Sequence, residues 1–199
     1  MEFADVVRGR RMTRSFSGAA MPEGLFDRCV DLAARAPSAG KSQGWNLVVL
    51  EGSETARYWD IALPPAKRAG FAFPGLLDAP LVAIVLADPS AYLDRYSEPD
   101  KVHTGLGADV AAWPAPYWTI DASFATMTLL LALEDEGAGA LFFAHAEEAA
   151  LRREFAIPDD VEILGTICAG ARSEAPGRPG RSASRPVRSS RGIIHRDRW

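Results

Sequence analysis

Apolar residues recur along the first half of the chain in patterns that alternate between helix and strand. Between Pro22 and Pro37 they fall every three or four positions, which predicts an amphipathic helix that ends at the second proline. Residues 3–11 have the same spacing and predict a shorter helix before it. The stretches 46–50 and 80–86 are instead continuously apolar after their first residue and rich in valine, which predicts two buried strands.

A long helix and two further strands are predicted in the second half. Residues 120–136 are apolar on nearly every side, so we expect this helix to be buried on more than one side, as at a dimer interface. Residues 140–144 and 162–169 predict strands, and 147–155 predict a charged helix between them. The stretch 88–118 is polar, aromatic and rich in proline, which predicts a long loop of the kind that forms a lid or a dimer arm.

Length and composition are those of a globular domain. The 199 residues are 48% apolar and 24% charged and show no internal repeat, so we expect a single domain over 1–199. Cys29 and Cys168 lie far apart in apolar segments, which favours buried thiols in a reducing compartment. The apolar runs are too short to cross a bilayer and the acidic first residues lack the basic region of a signal peptide, so we expect a soluble cytoplasmic protein without a membrane partner.

Charge is divided unevenly along the chain. Residues 172–199 contain eight arginines and two acidic residues, a balance of +6, and because the whole chain carries −4 the preceding residues carry −10. This tail is poor in apolar residues, so it is either disordered or docked on a partner, and the terminal tryptophan favours docking. An acidic body with arginines near both ends is compatible with an anionic small ligand or with an arm that contacts nucleic acid. The second basic cluster consists of Arg8, Arg10, Arg11 and Arg14.

The familiar catalytic signatures are missing from the sequence. It has no glycine-rich dinucleotide or phosphate-loop motif, no His-Glu-x-x-His and no Gly-x-Ser-x-Gly, and its three histidines are not spaced as metal ligands. Two polar segments stand out instead. The arginines, hydroxyls and backbone N–H groups of residues 10–15 suit a phosphate monoester. The small residues of 36–45 allow the backbone to approach a flat ligand, with serine and glutamine side chains as polar contacts.

Together the two segments resemble the nitroreductase family of flavin-dependent oxidoreductases. Its members open with an Arg-Arg-Ser-x-Arg-x-Phe-like element, which Arg10-Arg-Met-Thr-Arg-Ser-Phe16 resembles. After one helix they continue with an Ala-Pro-Ser-x-x-Asn-x-Gln-Pro-Trp-like loop, which Ala36-Pro-Ser-Ala-Gly-Lys-Ser-Gln-Gly-Trp45 resembles. Residues 117–140 are similar to the family's central helix and glycine turn, and the tail is similar to its C-terminal arm. The resemblance thus spans nearly the whole chain in the family's order.

The resemblance implies an α+β fold: a three-layer α/β/α sandwich with a mixed sheet, an extended C-terminal arm over 172–199 and an intertwined homodimer. It also implies FMN, with its phosphate on the first arginines and the Met12 backbone, and with Arg14 near flavin N1 and O2, where positive charge favours the reduced anion. The second segment approaches the ring from the other subunit, the glycine turn lies beside the ring, and an arm arginine completes the phosphate site. The implied cofactor-binding residues are Arg10, Arg11, Met12, Arg14, Pro37, Ser38, Ala39, Gly40, Ser42, Gln43, Ala138, Gly139, Ala140, Arg185 and Arg188.

The function implied by the resemblance is that of an FMN-dependent oxidoreductase. Hydride passes from NAD(P)H via flavin N5 to a nitroaromatic, quinone or related acceptor by a ping-pong mechanism, so the flavin rather than a protein residue carries the chemistry. We expect no metal. The expected substrate wall consists of Lys41, Tyr96, His103, Trp113 and Tyr117.

Three positions depart from the family's pattern. Met12 stands where serine is common, Lys41 replaces the usual asparagine, and Gly44 replaces the usual proline. The changes at Lys41 and Gly44 motivate an alternative function, a flavin-binding sensor or storage protein without reductase turnover. A nucleic-acid arm is disfavoured, because the tail lacks the regularly interleaved aromatic residues of a base-stacking surface and the whole chain is acidic.

Overall fold

The computed structural model describes residues 1–175, 177–180 and 182–199; Pro176 and Arg181, which is one of the eight tail arginines, lie outside the described residues. The described residues form seven α-helices and a four-stranded sheet. Every helix and strand predicted above from periodicity is present, with bounds that differ by a few residues. In chain order the elements are α1 (Phe3–Gly9), α2 (Leu25–Ala33), β1 (Trp45–Glu51), α3 (Thr55–Ala62), α4 (Pro65–Arg68), β2 (Leu81–Ala87), α5 (Ser90–Ser97), α6 (Tyr117–Asp135), β3 (Gly139–Phe143), α7 (Glu148–Phe155) and β4 (Glu162–Gly170).

The sheet has the strand order β1-β2-β4-β3, and every neighbouring pair of strands is antiparallel. The outer strand β3 pairs with β4 from Gly139 opposite Gly170. The expectation of a mixed sheet is therefore wrong for these four strands. Among the described residues, parallel pairing occurs as an isolated bridge between Met12 and Ala140. The mixed sheet was an implication of the resemblance; the apolar strands themselves indicate only that both their faces are covered, which this antiparallel sheet achieves with helices on each side.

Helices pack on both faces of the sheet, which explains why the central strand β2 is apolar at every position. Alternate residues of β2, beginning with Leu81, join a core with α2 and α6. The intervening residues, beginning with Val82, join a second core with α3 and α7. Cys29 lies in the first core and Cys168 in the second, so both thiols are buried as predicted. Burial raises the pKa of Cys29 to about 11 and raises that of Cys168 as well.

The stretch 88–118 is not the continuous loop that its composition predicts. Its first part forms α5, and α6 already begins at Tyr117. Periodicity missed α5 because this helix buries only Tyr92 fully and therefore has no apolar stripe. A signal was nevertheless present in the sequence, because Asp88 precedes Pro89 and Ser90 in the arrangement typical of a helix start. In the structure Asp88 Oδ1 accepts the backbone N–H of Ser90 at 2.8 Å.

Two surfaces of the chain remain uncovered. On α6, Leu129 and Leu133 are fully buried, whereas Phe124 and Met127 are 49% and 42% exposed. The burial of this helix on more than one side, which its composition predicts, is thus not completed within the described chain. Residues 182–199 are exposed throughout, with the ring of His195 stacked on Trp199. Both surfaces are available to a partner.

Candidate functional site

The arginine segment 10–15 lies across the start of β3. Thr13 donates its backbone N–H to the carbonyl of Ala140 at 2.8 Å. Ala140 also forms the isolated parallel bridge with Met12. The crossing is tight at Gly139, where a Cβ atom would lie 2.7 Å from Thr13 Oγ1 and 2.8 Å from Arg172 Cγ. The structure therefore brings the first predicted segment to the predicted glycine turn, although the two are distant in sequence.

The three arginines of this segment have different surroundings. Arg11 is exposed. Arg14 is half-buried: its Nη1 donates to the carbonyl of Met12 at 3.0 Å, and its guanidinium carbon lies 5.4 Å from the centroid of the Phe73 ring. Arg10 Nη1 is buried and has no hydrogen-bond partner among the described residues. An unpaired buried N–H group is costly, so an anion bound at Arg10 would complete an otherwise incomplete polar site.

A cavity of about 330 Å³, which sequence reasoning missed, opens beside Arg14. Trp59 in its wall is 5% exposed, and the indole Nε1 has no partner among the described residues. Apolar walls, an indole N–H and a guanidinium suit a planar ligand with a polar edge. The lining comes from Arg14 and from residues 58–63, 71–76 and 141–146, and the aromatic residues of these segments were the signal in the sequence. The aromatic lining residues are Tyr58, Trp59, Phe71, Phe73, Phe142 and Phe143.

Arg172, at the beginning of the predicted arm, is tied to the end of α6. Its Nη2 forms a salt bridge with Glu134, which is buried, and its Nη1 donates to the carbonyl of Gly137 at 3.1 Å. The same side chain lies against Gly139, as described above. Arg172 therefore fixes the start of the arm beside the crossing of residues 10–15, a role that its position in a charged tail did not reveal.

The rest of the arm is only partly in contact with the candidate site. Gly180 lies close to Arg14, since a Cβ atom at this glycine would be 2.8 Å from the guanidinium carbon. Arg185 and Arg188 are exposed. None of the contacts described for these two arginines reaches residues 10–14 of the same chain. Their predicted contact with phosphate therefore stays a prediction.

The second predicted segment lies at the opposite end of α6. Ala39 donates its N–H to Asp121 Oδ2 at 2.8 Å near the beginning of that helix. The glycine turn instead follows the end of the helix at Asp135. At about 1.5 Å of rise per residue, Asp121 and Asp135 are roughly 20 Å apart. The predicted halves of the cofactor site, residues 10–14 and 37–43, are therefore not brought together within one chain.

The residues expected to form a substrate wall separate into packed and exposed side chains. Trp113 is buried, and its Nε1 donates to a backbone carbonyl at 2.9 Å. Its ring centroid lies 4.6 Å from that of Tyr96 and 5.7 Å from that of Tyr117. Lys41, His103 and Tyr117 are exposed. Tyr96, Trp113 and Tyr117 thus lie together beside the loop of residues 36–45, and most of the Trp113 side chain is buried in packing contacts.

Within the described ranges, no cluster of three or more histidine, cysteine, aspartate or glutamate side chains is arranged to hold a metal ion. Of the helices that the described residues form, none is both long enough and apolar enough to span a membrane.

The sequence of the chain matches a known family over most of its length. The sequence model of the Nitroreductase family matches residues 7–171. The chain belongs to the Nitroreductase family. A protein of Methanothermobacter thermautotrophicus with the provisional name NADH dehydrogenase/NAD(P)H nitroreductase is 26% identical over 203 aligned positions, which cover 100% of this chain and 88% of the relative.

Solved structures share the fold of this nitroreductase-family chain. A nitroreductase family protein of Streptococcus pneumoniae superposes with a TM-score of 0.76 at 20% identity, covering 98% of this chain and 99% of the other. An FMN-containing oxidoreductase superposes with a TM-score of 0.64 at 16% identity, covering 85% of this chain and 77% of the other. At such identities the likeness concerns the fold alone.

Proposed function

We propose that this nitroreductase-family protein is an FMN-dependent oxidoreductase that transfers electrons from NAD(P)H to a nitroaromatic, quinone or related acceptor in a ping-pong cycle. The observation that carries the proposal is the buried, unpartnered Nη1 of Arg10 on the segment whose Arg14 borders the aromatic cavity. An anionic group joined to a planar ring is the ligand chemistry that both features recognise together. The name of the Methanothermobacter relative and the FMN in one protein of the same fold support the reductant and the cofactor.

Each part of the first segment has a place in this site. Arg10 and Arg11, with the backbone N–H of Met12, would hold the phosphate, because guanidinium groups donate paired hydrogen bonds to phosphate oxygens. The Met12 side chain contributes no hydroxyl, so phosphate affinity depends on the arginines. Arg14 would lie at the pyrimidine edge of the ring. Residues 138–140 are packed against Thr13 and Arg172 and are not among the residues that line the cavity, so their contact with the ring stays a prediction. Bound FMN supplies a carrier that accepts hydride at N5 and releases it to a second substrate.

The proposed site is completed by a second copy of the chain. Because residues 37–43 and 10–14 lie at opposite ends of α6, the loop of one protomer would reach the flavin of its partner in a homodimer. Phe124 and Met127 supply an exposed apolar stripe on α6 against which the second copy would pack. This arrangement makes the chain one domain over 1–199 that is functional only as an intertwined dimer.

The arm would have a complementary surface on the same partner. β1 lies at an edge of the sheet, beside a cavity of about 720 Å³. Its charged lining residues are Asp27, Glu51, Glu54 and Arg57; Arg57 forms a salt bridge with Glu54, which leaves Asp27 and Glu51 as the acidic groups for the arm. An arginine-rich extended segment is complementary to such an edge in both charge and backbone hydrogen bonding. With the arm crossing to the partner, Arg185 or Arg188 would complete the phosphate site.

The decisive experiment is purification followed by anaerobic reduction. The protein should be yellow, or should become yellow with added FMN. Under anaerobic conditions either NADH or NADPH should rapidly bleach the absorbance of the bound oxidised flavin. A colourless protein that takes up no FMN would contradict the proposal. Flavin that binds but is not bleached by either nicotinamide would instead support the sensor or storage function.

The dimer is tested separately by a charge placed on the α6 stripe. Phe124→Glu should convert the protein to monomers in sedimentation velocity and release its FMN, because a buried unpaired carboxylate is incompatible with a packed interface. Ala149→Glu, on the exposed face of α7, is the matched control and should leave the dimer intact. A dimeric Phe124→Glu protein that retains FMN would contradict the proposed interface.

A further inference from the structure

The loop between α2 and β1 has a backbone conformation that is unfavourable for its sequence. Gly40, Lys41 and Gln43 have φ angles of 60°, 60° and 57°. Glycine adopts this left-handed region freely, whereas lysine and glutamine are strained there. Strain of this kind persists only where neighbouring groups hold the backbone in place. Hydrogen bonds within the loop contribute, among them the one from the backbone N–H of Gln43 to Ser38 Oγ at 3.2 Å, and further contacts come from α5 and α6.

Asp121 of α6 holds one side of the loop. Its Oδ2 accepts the backbone N–H of Ala39 at 2.8 Å and the hydroxyl of Tyr92 at 2.9 Å. The residue is 7% exposed, so its carboxylate depends on these donors for the hydrogen bonds that water would otherwise supply. The pKa of Tyr92 is raised mainly by burial and also by the hydrogen bond to Asp121. The hydroxyl therefore remains protonated and donates a hydrogen bond at physiological pH.

Arg95 of α5 holds the other side of the loop. Its Nε donates to the carbonyl of Gly40 at 2.8 Å, and its Nη1 and Nη2 bind the two oxygens of Asp100 at 2.8 Å each. The paired bonds to the carboxylate fix the plane of the guanidinium and therefore the direction of the third bond. The hydrogen bond from Arg95 lowers the pKa of Asp100 to about 2, so this pair stays charged at physiological pH.

Two glycines allow α5 to approach the loop this closely. A Cβ atom at Gly40 would lie 2.8 Å from Tyr96 Cε2, and one at Gly44 would lie 2.6 Å from the Asp88 carbonyl oxygen and 2.8 Å from Tyr92 Cε2. The two tyrosines are four residues apart and face the loop together. Gly44 occupies the position where the family pattern has proline. In this chain the Tyr92 ring packs closely against Gly44, where a side chain would not fit.

We propose that α5 and Asp121 form a clamp that sets the conformation of residues 38–44, and that Tyr92, Arg95 and Asp121 are positioning residues for the flavin contacts of this loop. The part that concerns flavin rests on the proposed function; the clamp itself is defined by contacts within one chain. A loop oriented before the cofactor binds loses less conformational freedom on binding, which strengthens binding. Because Lys41 lies in this loop, releasing the clamp also displaces a positive charge relative to the flavin and changes its reduction potential.

The test compares Tyr92→Phe and Arg95→Lys with Thr119→Val. The control removes the hydroxyl that Thr119 donates to Glu162 at 2.7 Å, a bond of similar type on the same helix as Asp121 but outside the loop. Hydrogen exchange of the Ala39 amide in flavin-free protein reports on the clamp directly. Titration with FMN and the midpoint potential of bound FMN report on positioning. In both clamp variants we expect Ala39 to exchange about tenfold faster and FMN to dissociate about tenfold more readily, with a shifted potential and a melting temperature close to that of Thr119→Val.

Each result decides one part of the proposal. Unchanged exchange at Ala39 in both clamp variants would overturn the clamp. Faster exchange with unaltered FMN affinity and potential would overturn the positioning role and leave a purely structural one. If the unsubstituted protein binds no FMN, the proposed function and the positioning role fail together, whereas the exchange measurement still decides whether the clamp exists.

Discussion

Replacing Arg10 with alanine should weaken FMN binding without destabilising the flavin-free protein. Arg10 Nη1 is buried and unpartnered among the described residues, and an unpaired buried donor costs about 1–3 kcal/mol. Removing it relieves that cost before the cofactor binds. With phosphate bound, the same guanidinium donates to a charged acceptor, an interaction of about 1.5–3 kcal/mol. Its loss corresponds to an increase in the dissociation constant of about 10- to 150-fold.

Flavin fluorescence titrations with FMN and with riboflavin separate the phosphate from the ring. Riboflavin lacks the phosphate, so Arg10→Ala should leave its affinity unchanged while FMN affinity falls. Arg8→Ala is the matched control, because that arginine is on α1 with a side chain that is 77% exposed. Unchanged FMN affinity in Arg10→Ala, or an equal loss for both ligands, would refute the assignment of the phosphate to Arg10.

Three further substitutions test the packing around the site. Arg172→Ala should lower the free energy of unfolding, measured in urea, by about 1–3 kcal/mol, because buried Glu134 loses its cation. The double variant Arg172→Ala/Glu134→Gln should recover part of the lost stability, and no recovery would count against the ion pair. Gly139→Ala should cost about 1–3 kcal/mol through contact with Thr13, and combining it with Thr13→Ala should cost less than the sum of the single changes. Burial raises the pKa of Tyr58 to about 12, so the folded protein keeps a proton that the unfolded chain loses near pH 10, and stability falls as the pH rises from about 10 to 12. Tyr58→Phe should flatten this part of the stability curve, and an unaltered slope would contradict the assignment.

Elements that carry their own hydrophobic pattern were predictable from the sequence. The helix after Pro22 has one apolar face in the core that it shares with α6 and the sheet, and β2 is apolar throughout because both its faces are covered. Helix α5 was missed because it has no apolar stripe and is held by contacts with residues 38–44, Trp113 and Trp118, which a local pattern does not contain. The mixed sheet was implied by the family resemblance and not by the hydrophobic pattern, which records burial, whereas the path of the connections determines strand direction.

The sequence by itself determined which segments carry polar chemistry, namely the arginines of 10–15, the small-residue loop of 36–45 and the basic tail, because residue type and local order are sufficient to recognise them. Only the tertiary structure decided how they combine. It placed the first segment on β3 beside an unforeseen aromatic cavity, and it separated the second from the first by nearly the length of α6. These arrangements depend on contacts between residues distant along the chain, and periodicity encodes how deeply a residue is buried but not which residue it meets.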